Sequence, residues 1–140
     1  MIGFVETCSD ADWGKKLDWE EWSVGVAARH IGAGHYSVIP LVQMIVAGEP
    51  LPPITMDTLT HSANEHARKH AGCTRNEVLD ILRENGNALA DYVEGLTGEE
   101  LDLKGHVEIT GDVAAGTLLK FVVLDSGGEH FANMKKAVAS

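Results

Sequence analysis

Two histidines at opposite ends of the chain carry the chemistry that can be read first. His30 lies in Trp22-Ser23-Val24-Gly25-Val26-Ala27-Ala28-Arg29-His30-Ile31, and His130 in Glu129-His130-Phe131-Ala132-Asn133. Each sits on an apolar, helix-like stretch. If the two helices pack together, their imidazoles converge inside a helical core. Neutral imidazole is the commonest metal ligand, and such a set suits zinc, nickel or iron. A bundle interior holds the rings rigidly. A catalytic zinc normally takes three protein ligands and a water, so His30 and His130 are two members of an incomplete set. The alternative is a pair of histidines hydrogen-bonded in a polar pocket with no metal.

The other candidates are weaker. His66 and His70 are four apart and share a helix face with a workable chelating spacing. Glu65, Arg68 and Lys69 surround them, so that face, with His61, reads as solvated. His106 reads as an exposed loop residue. Trp22 reads as a core anchor at the entry to its helix, while Trp13 and Trp19 sit among charges and read as partly exposed or as subunit contacts. Cys8 and Cys73 form no CxxC pair and no disulfide framework; two idle thiols fit a reducing cytosol. The chain has no glycine-rich phosphate loop, HExxH motif or nucleophile elbow.

The elements that must position these residues follow from the pattern. At 140 residues with a hydrophobic fraction of 44% the chain is expected to form one domain, residues 1–140, with a real core. The net charge of −10 and the pI near 5.0 oppose nucleic-acid binding, because phosphates need a basic face. No basic region followed by an apolar run opens the chain, so no signal peptide is expected. Residues 24–47 are mostly apolar but contain Arg29, His30, His35 and Gln43. Those groups are costly in lipid, and the segment reads as a buried helix of a protein outside the membrane.

A short first helix is predicted over residues 2–11 and a loop over 10–21. Ser23 caps a long helix to about Ala47, kinked at Pro40 and ended by Gly48. The run 49–53 is a stiff proline connector. Asp57 caps a helix to about His70. Thr74 and Glu77 form a capping box for a helix over 75–94, and Thr97 and Glu100 form another. Residues 101–111 lack a helical period, although 106–110 alternate briefly. Asp112 caps the last helix, to about Val138, with Gly127-Gly128 inside it at a kink or a close helix approach. The sum is an all-α domain, most simply a four-helix bundle.

Trp22-Ser23-Val24 followed by His30-Ile31 resembles the second helix of the DinB-like superfamily, which includes bacillithiol and mycothiol transferases and mycothiol-dependent maleylpyruvate isomerases. Asn64 with the run 74–79 resembles the third-helix region, and Phe121-Val122-Val123-Leu124 with Glu129-His130 resembles the last helix. The resemblance covers residues 22–138 and implies a four-helix bundle with a shortened first helix. It also implies a divalent metal held by a second-helix histidine and two residues four apart on the last helix. His30 matches the first position and His130 the later of the last two. The earlier falls at Ser126, which is neither histidine nor glutamate.

Three functions follow. The first is a metal-dependent enzyme acting on a low-molecular-weight thiol, with His35 as a group behind the ligands or an acid/base. The second is a non-catalytic bundle that binds a small ligand or nothing. The third is an oligomeric scaffold, a homodimer, suggested by the short first helix and the tryptophan-rich segment before Ser23.

Overall fold

A computed structural model describes residues 1–18 and 22–139; Trp19, whose exposure was at issue, lies outside them. The chain is mostly α-helical. In order, the elements are α1 (Ile2–Thr7), α2 (Asp10–Trp13), α3 (Val24–Ala33), a 3₁₀ turn (His35–Ser37), α4 (Ile39–Ala47), α5 (Met56–Lys69), α6 (Arg75–Glu94) and α7 (Gly98–Asp102). A hairpin of β1 (Lys104–Val107) and β2 (Gly111–Ala114) follows, then α8 (Ala115–Leu119), a π-helical segment (Lys120–Ser126) and α9 (Gly127–Ala139). The all-α reading holds apart from that one hairpin. Among the described residues no helix is long and apolar enough to cross a membrane.

The bundle is built from α3 with α4, from α5, from α6, and from the rod running through α8 and α9; the short α1 packs on α6. Two clusters form the core. One joins Val5, Val24, Ala27, Ile31, Val78, Leu82 and Met134. The other joins Val38, Val42, Ile45, Leu89, Ala115 and Leu118, and Tyr36 borders both. The inward stripe of α9 runs through His130, Met134 and Ala137 at helical spacing. That of α3 includes Val26 and Ala27, four and three residues before His30.

Several caps fall where local chemistry puts them. The Ser23 hydroxyl accepts from the Val26 amide, Thr97 and Glu100 close a reciprocal box, and Gly48 takes the left-handed conformation at φ 72°. Others differ from expectation. Thr55, not Asp57, caps α5 through a box with Thr58. Thr74 accepts from the Glu77 amide, but the Glu77 carboxylate pairs with Arg29 instead of reaching back. Residues 10–13 form a helical turn capped by Ser9 rather than a loop. Asp112 sits in β2 beside His106 at 3.0 Å, so the final helical rod starts only at Ala115.

The largest departure is the helix expected over 23–47. It stops at Ala33, makes one 3₁₀ turn and restarts at Ile39. Pro40 therefore occupies the first turn of a new helix, where its missing N–H leaves no bond unmade, instead of kinking a continuous one.

Trp13 shows how α3 is seated. Its indole Nε1 donates to the Cys73 carbonyl at 3.0 Å, and its ring covers Gly25, where a Cβ would lie 2.5 Å from the indole. Gly25→Ala is expected to lower unfolding free energy by about 1–3 kcal/mol in a denaturant titration, through overpacking against an anchored ring. An unchanged midpoint would show that the indole yields freely.

Candidate metal centre

Four imidazoles gather where α3, the 3₁₀ turn, α5 and α9 meet. The His30 ring lies 4.8 Å from that of His35, 5.1 Å from His130 and 5.6 Å from His66, centroid to centroid. His35 and His130 are 5.2 Å apart. Trp22 closes one side, edge-on to His30 at 4.9 Å and stacked on His130 at 6.0 Å. One ligand atom from each of His30, His35 and His130 falls within 4.8 Å of the others.

His35 stands among the clustered ligand atoms themselves, where the sequence suggested a group behind the ligands or an acid/base. Five residues along a straight helix place two side chains about 140° apart, on different faces. The break after Ala33 removes that constraint and folds the His35 ring back over His30. The ring is then held by the far end of the chain: Nδ1–H donates to the Val122 carbonyl at 2.8 Å. That carbonyl lies in the π-helical segment and also accepts from the Gly127 amide. Local widening of this kind recurs at functional sites. The bond fixes the tautomer, leaving the Nε2 lone pair free, and Nε2 lies 3.2 Å from His30 Nε2. Bonds of 2.0–2.1 Å at a tetrahedral angle imply roughly 3.3 Å between two ligating nitrogens. The pair therefore has the spacing of two ligands on one ion, and the carbonyl behind His35 is the usual orienting partner of a metal-bound histidine.

The site is also electrostatically suited to a cation. Burial holds the His30 imidazole well below its ordinary pKa, at about 3, with neighbouring His35, His130 and His66 adding to the effect. Burial likewise lowers His35, opposed by its bond to Val122, and lowers His130, opposed by Glu129. His66 is lowered to about 4 by burial, then by Arg29 and His70. All four are neutral near pH 7 and carry lone pairs. His130 Nδ1 is buried without a hydrogen-bond partner, an orphaned polar atom of the kind an ion satisfies. The residues present thus fit a divalent ion of the zinc, nickel or iron type.

The sequence-predicted residues separate cleanly. His30 and His130 converge. Ser126 ends the π-helical segment and is half-buried; Asp125 pairs with Lys120 at 3.0 Å and Glu129 is exposed. His66 is half-buried at the edge of the solvated face expected of it. It lies on the half-buried stripe Ala63, His66, Ala67 and His70, the least polar side of α5, and that stripe was the signal available in the sequence. His61 is exposed and meets Glu65 at 3.7 Å. His106 is on a strand, not a loop, though its side chain is exposed. Cys8 and Cys73 are free and buried, and burial raises both thiols above their ordinary pKa.

The model of the DinB superfamily matches residues 1–126 of this sequence. The chain belongs to the DinB superfamily. The match ends four residues before His130, so it spans His30, His35, His66 and the π-helical segment but not the last imidazole. No curated protein matches the chain.

The depressed histidines give a pH signature. Their folded pKa values lie below the ordinary value of 6.5, so as pH falls the unfolded chain takes up protons that the folded one refuses. Stability is then lost on acidification, beginning near pH 6.5. The melting temperature of metal-free protein is expected to fall between pH 7 and 5, above the range where carboxylates titrate, and to fall less steeply in His30→Gln. Equal slopes for the two proteins would contradict the burial argument.

Proposed function

We propose that this DinB-superfamily protein is a metal-dependent enzyme acting on a low-molecular-weight thiol, with a divalent ion held by His30, His35 and His130. The observation that carries the metal is the convergence of three neutral imidazoles, one of them oriented by a backbone carbonyl. The thiol comes from kinship with the transferases of the family. When bound, the ion supplies a Lewis acid that lowers the pKa of a thiol or water at its open position.

The residues of the chain do the rest. Three neutral ligands leave the ion's charge uncompensated, which favours an anionic fourth partner. The Val122 carbonyl keeps the His35 Nε2 lone pair directed at His30. Trp22 covers His30 and His130 and limits water on that side. In this reading His35 replaces the ligand that Ser126 does not provide. The second reading, a bundle whose imidazoles bond one another without metal, is favoured by Ser126 and by the 3.2 Å His30–His35 contact, which one ring proton also satisfies.

Metal analysis of untagged protein and calorimetry with Zn²⁺, Ni²⁺ and Co²⁺ separate the two. The expected result is one ion per chain. Affinity should fall by roughly tenfold or more in each of His30→Ala, His35→Ala and His130→Ala, as for loss of a ligand or its orienting partner, and remain unchanged in Ser126→Ala. Absence of binding, with no rise in melting temperature on adding metal, supports the non-catalytic bundle. With metal bound, thiol consumption in the presence of a simple electrophile such as an alkyl halide is expected, and its absence would retire the transferase assignment.

A further inference from the structure

The fourth imidazole has no role in the metal set, and its hydrogen bonding is unusual. Arg29 is always protonated and can only donate. Its Nη1 lies 2.8 Å from His66 Nε2, so Nε2 accepts and the neutral ring carries its proton on Nδ1. Arg29 is pinned in turn: its Nε donates to Glu77 at 3.4 Å, and its side chain is only 14% exposed. Glu77 and Arg29 thereby dictate which nitrogen of His66 is the donor.

That donor has no acceptor. Among the described residues, buried side-chain nitrogens without a partner are His66 Nδ1, His130 Nδ1 and Asn133 Nδ2. One belongs to the three-histidine centre and one to the ring 5.6 Å from His30. Buried N–H groups are rarely left unmade, and exceptions mark places where something else binds. A cation does not satisfy this one, because the atom bears a hydrogen rather than a lone pair. His66 also lines an open surface pocket of about 440 Å³ with Ser62, Glu65, Arg68, Lys69 and His70, so the ring borders solvent although its Nδ1 is buried.

We infer that His66 is an anion-binding residue, donating from Nδ1–H to the anionic sulfur or oxygen that a substrate presents to the His30–His35–His130 centre, with Arg29 setting the tautomer. The inference rests on the three-histidine reading and adds to it the recognition of the anion. His66 binds the partner of the ion and not the ion itself.

The side chains that replace histidine discriminate by atom. Asparagine places an amide N–H close to the position of Nδ1; glutamine places it close to Nε2. The experiment loads the full chain with Co²⁺ and titrates azide, following the visible spectrum, in wild type, His66→Ala, His66→Gln, His66→Asn and Arg29→Ala. Azide affinity should fall roughly tenfold or more in His66→Ala and His66→Gln, the loss of one hydrogen bond to a charged group. It should stay within about threefold of wild type in His66→Asn and fall in Arg29→Ala. Co²⁺ affinity should change by less than about threefold in all the His66 variants. Azide affinity indifferent to His66, or restored by glutamine rather than asparagine, overturns the assignment. So does a loss of Co²⁺ affinity in His66→Ala equal to that in His30→Ala, which would make His66 a ligand. If wild-type protein takes up no Co²⁺, the three-histidine reading fails first and this one with it. If Co²⁺ binds and only the azide result fails, the three-histidine reading stands. If His66→Ala does not melt cooperatively, the asparagine–glutamine pair decides alone.

Discussion

The site depends on one hydrogen bond across the molecule, from the His35 ring to the Val122 carbonyl. It joins a one-turn interruption in the first half of the chain to a widened turn in the second. On one side, the helix bearing His30 must end early enough for His35 to swing back. On the other, the final rod must expose a carbonyl to receive it. Pro40 enforces the first condition, because it fits the opening turn of α4 and no interior turn of a continuous helix. The π-helical run Lys120–Ser126 meets the second. Packing of α3 on α9 then brings His130 to the same point.

Electrostatics follow from that packing. The chain is strongly acidic, yet among the described residues no carboxylate joins the clustered imidazoles. Burial outweighs every attractive charge nearby: Glu129 pulls His130 toward protonation, but the net shift is downward. A fixed cation at the edge, Arg29, pushes the same way on His66. A half-buried cluster of lone pairs results, inside a molecule whose net charge has the same sign as the anion proposed to bind there. Selectivity for an anion therefore has to be local, supplied at the centre and by the donors around it, rather than by the long-range field.

Kinship with the DinB superfamily implied a ligand pair four apart on the last helix, and Ser126 leaves that pair incomplete. The proposed centre uses a pair five apart, His30 on α3 and His35 on the 3₁₀ turn, instead. The two solutions make different demands on the chain. A pair four apart needs only a regular helix. A pair five apart needs a break between its members and an anchor for the second ring, and the break at Gly34–Ser37 and the Val122 carbonyl provide these.

Much of the fold was legible locally. Ser23, Thr97 and Gly48 end or begin helices through bonds within a few residues of themselves, and the apolar stripe of α6 sits at its helical period; such features need no tertiary information. Boundaries went astray where two local signals competed, as at Thr55 against Asp57, or where Asp112 found a cross-strand partner in His106. The convergence of His30 and His130 could be anticipated, because each ring lies on an apolar face and apolar faces must meet. His35 could be anticipated only as a group behind the ligands or an acid/base, since a helical reading turns it about 140° away from His30. His66 could have been, had the alanines at 63 and 67 been weighed above the charges at 65, 68 and 69.

The amino-acid order by itself determined that the chain is helical, which faces turn inward, and that two imidazoles ride on them, because periodicity and capping are short-range properties. Only the tertiary structure decided which further histidines join those two, and which nitrogen of each is free. Tautomer and ring orientation are set by partners 87 residues away for His35 and 37 away for His66, and no local pattern encodes a bond across that separation.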